Sequence, residues 1–344
     1  MKIVVLAGGS GSRLWPISSE FLPKQFLKFF DKESLFQKTI KRFENFDLSS
    51  DLIIMTNRKY EKIVKDQVEE IKFSKKVHIL IEPYKRNTAS AIFLSIKYIK
   101  EVLSAKDDEK VLVLPSDHLI SPIEAFLNYL KKLEKTLSRK IFIFGIRPNK
   151  PEIGYGYIEA GSKIEDDLYH VKNFLEKPNI KKAKEFLLSG NYFWNAGIFL
   201  FDIETYLKEI TEHAQDICKF WQISYDELVN RFEDLPNISI DYSLIEKSKN
   251  VIVKKMDLTW SDVGSWDSIY DVLDKDENFN VKKGNIVSVD TKNSLIIGNK
   301  KLVSTIGIRD IIFIETDDAI YLAKKGSSQK LKELIEKNKE KIFK

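Results

Sequence analysis

The chain opens with MKIVVLAGGSGSRLWPISSEFLPKQF (residues 1–26), in which a short apolar run leads into three glycines and then into a long irregular segment. The run KIVVLA is too short for a helix and rich in Val and Ile, so it predicts a buried strand. In an open α/β sheet, ligands bind beside the carboxyl ends of the parallel strands. The segment after this first strand is therefore a candidate binding loop.

The three glycines, Gly8, Gly9 and Gly11, allow positive φ angles and let backbone N–H groups approach an anion. They fit neither of two common nucleotide loops. A dinucleotide fingerprint needs a glycine where Leu14 stands, and a P-loop needs a lysine directly after its last glycine. The pattern favours a phosphate-cradling loop of another kind, and a tight strand-to-helix turn is the alternative.

Two cations follow the glycines. Arg13 and Lys24 lie on one long segment before the helix expected near Ser34, and Pro16 and Pro23 restrict that segment. Long connections without a periodic pattern are uncommon and often functional. Arginine can bridge two phosphate oxygens, and lysine supplies a compact charge. Together they favour a bound triphosphate.

Two aspartates far apart in the sequence are candidate metal ligands. Asp117 follows the apolar run VLVLPS, where a carboxylate can hold Mg²⁺, although a turn aspartate fits equally well. Asp262 lies in the irregular segment TWSDVGSW, where it could also be a turn residue. If the chain folds back, the two could share one Mg²⁺, which we predict as the cofactor.

A further group of residues could bind a second substrate. Lys177 in FLEKP could bind a phosphate or be a solvated surface lysine. Gly156 and Glu159 in GYGYIEAG, with Asn195 and Gly197 in WNAGIF, could bind sugar hydroxyls. A buried asparagine must find hydrogen bonds. Ordinary turn or edge-strand chemistry is the alternative.

Composition excludes several classes. The 56 basic and 51 acidic residues nearly balance, with no one-sided basic block, so we expect no nucleic-acid partner. The single cysteine, Cys218, permits no intramolecular disulfide and favours a reducing compartment. We see no signal peptide, no apolar stretch of membrane-spanning length and no zinc pattern among the four histidines. These features predict a cytoplasmic protein without a membrane partner.

The chain is expected to form two domains. Short apolar runs alternate with helical patterns and predict five strands, KIVVLAG, DLIIMTN, VHILIEP, KVLVLPS and KIFIFGI. This alternation predicts an α/β, Rossmann-like catalytic domain over 1–284, with a mixed, mostly parallel sheet. Short β segments with frequent turns predict a small C-terminal β domain over 285–344, ending in a helix. That β domain could be a short β-helix. Its apolar segments need cover, so we expect a homodimer.

The chain resembles the bacterial mannose-1-phosphate guanylyltransferases from about residue 1 to 270. The motifs that carry the resemblance are LAGGSGSRLWPIS, PKQF, EPYKRNTASAI, PSDH, GYGYIE, FLEKP, WNAGIF, SIDYSLIEKS and WSDVGSW, in this order. The C-terminal β segment is similar to the short β-helical tail of stand-alone members. The length leaves no room for the isomerase domain of bifunctional members, so we expect a stand-alone enzyme.

The resemblance implies an activity. GMP would pass from GTP to mannose 1-phosphate, giving GDP-mannose and pyrophosphate by Mg²⁺-assisted in-line attack on the α-phosphate. Asn87, Thr88 and Ala89 would contact guanosine, although Lys85 stands near where other members often carry a glycine. Asp241 lies in a family motif and receives no role here.

The expected roles are as follows. The catalytic set is Arg13, Lys24, Asp117, Lys177 and Asp262, with Asp117 and Asp262 on the metal; the nucleotide set is Gly8, Gly9, Gly11, Arg13, Lys24, Asn87, Thr88 and Ala89; the sugar-phosphate set is Gly156, Glu159, Lys177, Asn195 and Gly197. Another sugar 1-phosphate or nucleotide is an alternative. A non-catalytic regulator that binds sugar nucleotides is another.

Overall fold

The structure is a computed structural model that describes residues 1–9, 12–28, 31–48, 51–135 and 139–342. It divides into two compact units, each discontinuous in sequence. The first unit is Met1–Gly8, Gln37–Ser116 and Ile120–Trp260, and the second is Gly9–Phe36, Asp117–Leu119 and Ser261–Lys344.

The strands up to Trp260 are β1 (Lys2–Leu6), β2 (Asp51–Asn57), β3 (Lys76–Glu82), β4 (Lys110–Pro115), β5 (Leu119–Ser121), β6 (Ile141–Ile146), β7 (Tyr157–Glu165), β8 (Leu168–Leu175), β9 (Tyr192–Asp202) and β10 (Val251–Met256), with β11 (Thr259–Ser261) directly after. Nine of them form the sheet of the first unit, in the order β3-β2-β1-β4-β9-β6-β10-β8-β7. Pairing is parallel from β3 to β4 and between β6 and β10, and antiparallel elsewhere. The predicted mixed sheet is confirmed, but it is not mostly parallel, because four of its pairings are parallel and five, including that of β7 with β9, are antiparallel.

The first strand lies at the centre of the parallel part of this sheet. Val4 is paired with Ile53 on one side and Val113 on the other, and all three are fully buried. Strand order reverses between β1 and β4, which makes the crevice beyond their carboxyl ends the expected ligand site of such a sheet. Just after these two strands end, at Gly8 and Ser116, the chain leaves the first unit.

Helices cover the sheet. They are α1 (Leu35–Lys41), α2 (Glu61–Glu70), α3 (Asn87–Glu101), α4 (Ile123–Lys135), α5 (Ile180–Ser189), α6 (Ile203–His213), α7 (Gln215–Cys218) and α8 (Tyr225–Asn230). The caps of α5 follow from sequence, since Asn179 accepts the N–H of Lys182 and Gly190 ends the helix at a φ of +74°.

The second unit is built on a small stack of strands. Its elements are α9 (Trp266–Val272), β12 (Val281–Lys283), β13 (Ile286–Val289), β14 (Leu295–Ile297), β15 (Val303–Ile306), β16 (Ile311–Glu315), β17 (Ile320–Lys324), α10 (Leu331–Lys337) and α11 (Lys339–Ile342). Strands β12, β14 and β16 stack in parallel, as do β13 and β15. Two parallel ladders from successive coils are the pattern of a short β-helix, as expected from the sequence. Among the helices of the described residues, none is both long and apolar enough to cross a membrane.

Candidate functional site

Lys24 is the centre of a polar cluster in the second unit. Its Nζ donates to the main-chain oxygens of Asp262 at 2.5 Å and Val263 at 3.1 Å, and lies 3.0 Å from Oδ2 of Asp117. The Lys24 side chain is 10% exposed. We call Lys24, Asp117, Asp262 and Val263 the Lys24 cluster. The structure thus brings together three residues that the sequence placed in one site.

Asp117 is held ionised in this cluster. Burial alone would raise the pKa of its carboxyl group, but the positive charges of Lys24 and His118 outweigh burial and lower that pKa below its ordinary value. Nε2 of His118 lies 3.7 Å from Oδ1 of Asp117. A carboxylate that stays ionised is a hard oxygen ligand suited to a divalent cation.

The turn that carries Asp262 is strained. Val263 is fully buried and has a φ of +49°, a region that β-branched residues rarely occupy. Its N–H donates to Oγ of Ser261 at 3.0 Å, and the N–H of Gly264 donates to Oδ1 of Asp262 at 2.9 Å. Backbone strain of this kind concentrates at functional sites. These bonds and Lys24 hold the turn in its shape.

Gly264→Ala is expected to disturb this turn. A Cβ at position 264 would lie 2.5 Å from Oδ2 of Asp262, so the carboxylate would have to move. We expect kcat of the transfer reaction that the sequence resemblance implies to fall on the order of tenfold, because small displacements of a positioned group are costly. Steady-state kinetics beside a circular dichroism melt measure this. An unchanged kcat would mean that the position of the Asp262 carboxylate is unimportant.

The rest of the N-terminal loop is partly tied down within the second unit. The buried Gln25 side chain donates from Nε2 to the main-chain oxygen of Gly9 at 2.8 Å, which joins the two ends of the loop. Arg13 is exposed in a 3-10 turn, Ser12–Leu14. Gly11 lies outside the described residues. Sequence reasoning missed Gln25, although its place beside Lys24 in PKQF was a signal.

The residues present fit a Mg²⁺ ion that is bound jointly by the protein and a substrate better than a metal ion bound by protein ligands alone. Within the described ranges, no group of three or more His, Cys, Asp or Glu side chains could hold a metal ion. Asp117 and Asp262 provide two carboxylates. Mg²⁺ characteristically takes one or two carboxylates and completes its shell with water and substrate phosphates.

Glu82, at the end of β3 in the first unit, is a functional candidate that sequence reasoning missed. A Cβ on Gly8 would lie 2.8 Å from its Oε1, so the carboxylate packs directly on the first glycine of the loop. Glu82 is 7% exposed, and no donor among the described residues hydrogen-bonds its carboxylate. Burial raises its pKa to about 7, against the opposing charge of Lys85. The position of Glu82 at a strand end was the available signal.

The KRNTA segment starts α3 in the first unit. Asn87 is exposed and adopts a φ of +64°, so the left-handed backbone falls here and not at Lys85. Oδ1 of Asn87 accepts the N–H of Thr88 at 2.9 Å, and Oγ1 of Thr88 accepts the N–H of Ile240 at 2.9 Å. Ala89 is buried. The Thr88 bond ties this segment to the stretch that leads into Asp241.

A second polar cluster in the first unit surrounds Asn195. Its Nδ2 donates to Oδ1 of Asp241 at 2.9 Å, and its Oδ1 accepts the N–H of Gly197 at 3.1 Å. Gly197 has a φ of +64°, which suits glycine. The Asn195 main-chain N–H donates to the main-chain oxygen of Gly156 at 2.8 Å. Asn195, Gly156 and Gly197, all predicted site residues, therefore lie together.

Glu176 and Lys177 complete this group. A Cβ on Gly156 would lie 2.5 Å from Oε2 of Glu176 and 3.4 Å from Cβ of Asn195, so glycine makes room for the carboxylate. Oε1 of Glu176 pairs with the half-exposed Lys177 ammonium, and Lys177 has a φ of +48°. We call Gly156, Glu176, Lys177, Asn195 and Asp241 the Asn195 cluster.

Asp241 begins a π-helical turn, Asp241–Ile245, a feature frequent at functional sites. Burial and then the Glu176 charge raise the pKa of Asp241 to about 6, while Lys177 and the Asn195 amide act in the opposite direction. Two neighbouring carboxylates beside one ammonium leave acceptor capacity in this cluster. Such a group suits hydroxyl donors in a ligand.

Glu159 lies apart from this cluster. It is paired with Tyr192 across β7 and β9, and its carboxylate forms an ion pair with Lys172 at 2.7 Å. Tyr192 and Asn195 are three residues apart on β9, and side chains alternate between the faces of a strand, so Tyr192 and its partner Glu159 lie on the face opposite Asn195. The structure therefore does not bring Glu159 to Asn195.

Comparison with known proteins agrees with this architecture. A family model described as nucleotidyl transferase matches residues 2–278, and one described as MannoseP isomerase/GMP-like beta-helix domain matches residues 284–337. With a glycine loop at the switch point of a mixed sheet, the chain is of the nucleotidyl transferase class.

The relatives narrow this class. The mannose-1-phosphate guanylyltransferase of Escherichia coli is 38% identical over 97% of this chain and 74% of that protein. The alginate biosynthesis protein AlgA of Pseudomonas aeruginosa is 40% identical over 96% of this chain and 71% of its own. The chain belongs to the mannose-1-phosphate guanylyltransferase family.

A solved structure extends the match to the whole fold. It is described as mannose-1-phosphate geranyltransferase from Thermus thermophilus, and is 28% identical with a TM-score of 0.85 over 98% of both chains.

Proposed function

We propose that this chain transfers GMP from GTP to mannose 1-phosphate, giving GDP-mannose and pyrophosphate. An oxygen of the sugar phosphate attacks the α-phosphorus, and the bond to pyrophosphate breaks. Family membership supports the reaction. The structural observation that carries it is the Lys24 cluster, where one ammonium joins the Asp117 carboxylate to the turn of Asp262.

The Lys24 cluster would bind the triphosphate. The attacking phosphate is already an anion, so catalysis needs positioning and charge neutralisation more than a base. Lys24 and Arg13 would stabilise the leaving pyrophosphate. Asp117 and Asp262 would hold Mg²⁺, which when bound polarises the phosphates and lowers their mutual repulsion.

The Asn195 cluster would bind the sugar phosphate. The Asn195 amide is engaged by Asp241 and Gly197, so the remaining acceptor sites of the Asp241 and Glu176 carboxylates would accept sugar hydroxyls. Lys177 would pair with the phosphate in place of Glu176. Gly156 would keep the floor of the site open, and Asn195 and Gly197 would position Asp241. The role of Glu159 stays a prediction.

Glu82 would select guanine. The guanine edge carries two adjacent N–H donors, which match the two oxygens of one carboxylate. Adenine, cytosine and uracil would each place a hydrogen-bond acceptor against the Glu82 carboxylate. Because two acceptors cannot pair, the buried site would discriminate strongly against these bases and in favour of guanine. Asn87, Thr88 and Ala89 would shape the same nucleoside pocket from the start of α3.

Three further expectations stay proposals. We propose a catalytic domain over 1–284 and a β domain over 285–344, a boundary near the gap between the two matched family models. The exposed apolar residues Val287, Val289 and Ile306 on β13 and β15 support a homodimer through the β domain. The single cysteine supports a cytoplasmic location.

A substrate panel tests this function. Pyrophosphate release is measured for GTP, ATP, UTP and dTTP, each with mannose 1-phosphate or glucose 1-phosphate, with Mg²⁺ and with excess chelator. We expect GTP with mannose 1-phosphate to be turned over fastest, and chelator to abolish the reaction. Release from no pair would favour a regulator that binds sugar nucleotides. Full activity in chelator would remove the metal role.

A further inference from the structure

A basic cavity lies in the first unit beside the amino ends of β6 and β10, whereas the Asn195 cluster lies near the carboxyl end of β6. It has a volume of about 500 Å³, and its cations are Arg139, Lys140, Lys208, Lys247 and Lys249. Residues 139–140 directly precede β6, and residues 247–249 precede β10, which is parallel to β6. Asn195 is paired with Gly145 near the other end of β6. The cavity is therefore separate from the site described above.

The backbone around this cavity is held rigidly. Nδ2 of Asn250 donates to the Arg139 oxygen at 2.9 Å, and the N–H of Ile141 donates to the Asn250 oxygen at 3.1 Å. Oγ of Ser248 donates to Oε2 of the buried Glu209 at 2.5 Å. These bonds link the segments before β6 and β10 to each other and to α6. The backbone that carries the cations is therefore held in place.

The cavity carries more positive charge than the protein itself balances. Its two acids are Glu209, whose carboxylate accepts the Ser248 hydroxyl, and Glu212, and Nε2 of His213 lies 3.7 Å from Glu209 and 3.8 Å from Glu212. Two carboxylates therefore face five cations. Within the part of the chain that the structure describes, the side chains of Arg139, Lys140, Lys208 and Lys249 form no ion pair. Unbalanced cations around one concavity attract and concentrate anions.

The end of α6 explains part of this charge but not all of it. Cations favour a helix C-terminus, and Nζ of Lys247 donates to the His213 oxygen there at 3.0 Å. Arg139, Lys140 and Lys249 lie in the segments directly before β6 and β10, and their charges are not explained by the C-terminus of α6. Their convergence on one cavity needs a further reason.

We propose that this cavity binds a small anion that carries two or more phosphate groups. The volume lies within the usual range for small-molecule sites and exceeds the need of one phosphate. An arginine can bind two phosphate oxygens at once, and several lysines add charges around it. This site stands independently of the catalytic function proposed above.

Lysine acetylation footprinting with inorganic tripolyphosphate as the probe tests this site residue by residue. We expect Lys140, Lys208 and Lys249 to be labelled at least about fivefold more slowly with the probe, at a rate that recovers with salt. The exposed Lys62 and Lys181 serve as controls and should not change. Citrate, a carboxylate polyanion, should protect much less.

A charge-reversed pair separates specific from general binding. Lys208→Glu with Lys249→Glu should abolish protection at Lys140, whereas Lys62→Glu with Lys181→Glu, which changes net charge equally, should leave it intact. Absence of protection in the wild-type protein would overturn the site. Equal protection of the control lysines would show ionic screening only, and equal protection by citrate would overturn the phosphate assignment.

Discussion

Asp117→Asn is expected to lower kcat for nucleotidyl transfer by about 1,000-fold, the scale on which one preorganised charge contact acts in catalysis. The substitution keeps the shape of the side chain and removes the charge that Lys24 and a divalent cation would share. The Lys24 ammonium keeps its two main-chain acceptors, Asp262 and Val263. The fold should therefore survive, and initial rates of pyrophosphate release against Mg²⁺ concentration measure the loss.

A matched control and a fold measurement accompany this test. Asp108→Asn removes the same charge from an exposed loop before β4 and should leave kcat unchanged. Near-ultraviolet circular dichroism of the Asp117→Asn protein should overlay that of the wild type. A variant that kept more than a tenth of the wild-type rate would exclude Asp117 from the metal site.

The fold was largely predictable because its signals are local. Five apolar runs, from KIVVL to IFIFGI, predict β1 to β4 and β6, and each is a strand of the sheet. Gly190 marks the end of α5 because its αL conformation favours glycine. The placing of β9 between β4 and β6 was not predictable, because it depends on pairing between residues far apart in the chain.

The candidate site was predictable in residue type but not in partners. Lys24, Asp117 and Asp262 were expected together, yet the lysine bonds the main-chain oxygens of the Asp262 turn, which no side-chain pattern encodes. The strain at Val263 is equally invisible in sequence. Glu159 was expected in the second group and lies apart from it, because its partner Tyr192 is three residues from Asn195 on β9, and this pairing between distant strands is not encoded locally.

Affinity for guanine nucleotides is expected to rise with pH through the titration of Glu82. Two N–H donors of guanine need an ionised carboxylate, and burial raises the pKa of Glu82 to about 7. At pH 6 most molecules must therefore lose a proton on binding, and at pH 8 few must. Affinity for GDP-mannose, whose diphosphate does not titrate in this range, should increase about tenfold from pH 6 to pH 8. Isothermal titration calorimetry at the two pH values measures it.

Glu82→Gln should remove both the affinity and its pH dependence. The glutamine amide presents one donor against the two guanine donors, so kcat/KM for GTP should fall about 100-fold, as expected when a polar pair is mismatched in a buried site. Binding of GDP-mannose should then be flat between pH 6 and pH 8. Glu69→Gln, an exposed carboxylate on α2, is the control and should behave as wild type. If the Glu82 variant kept wild-type use of GTP, or kept the pH dependence, another group would read the base, and the buried carboxylate beside Gly8 would have a purely structural role.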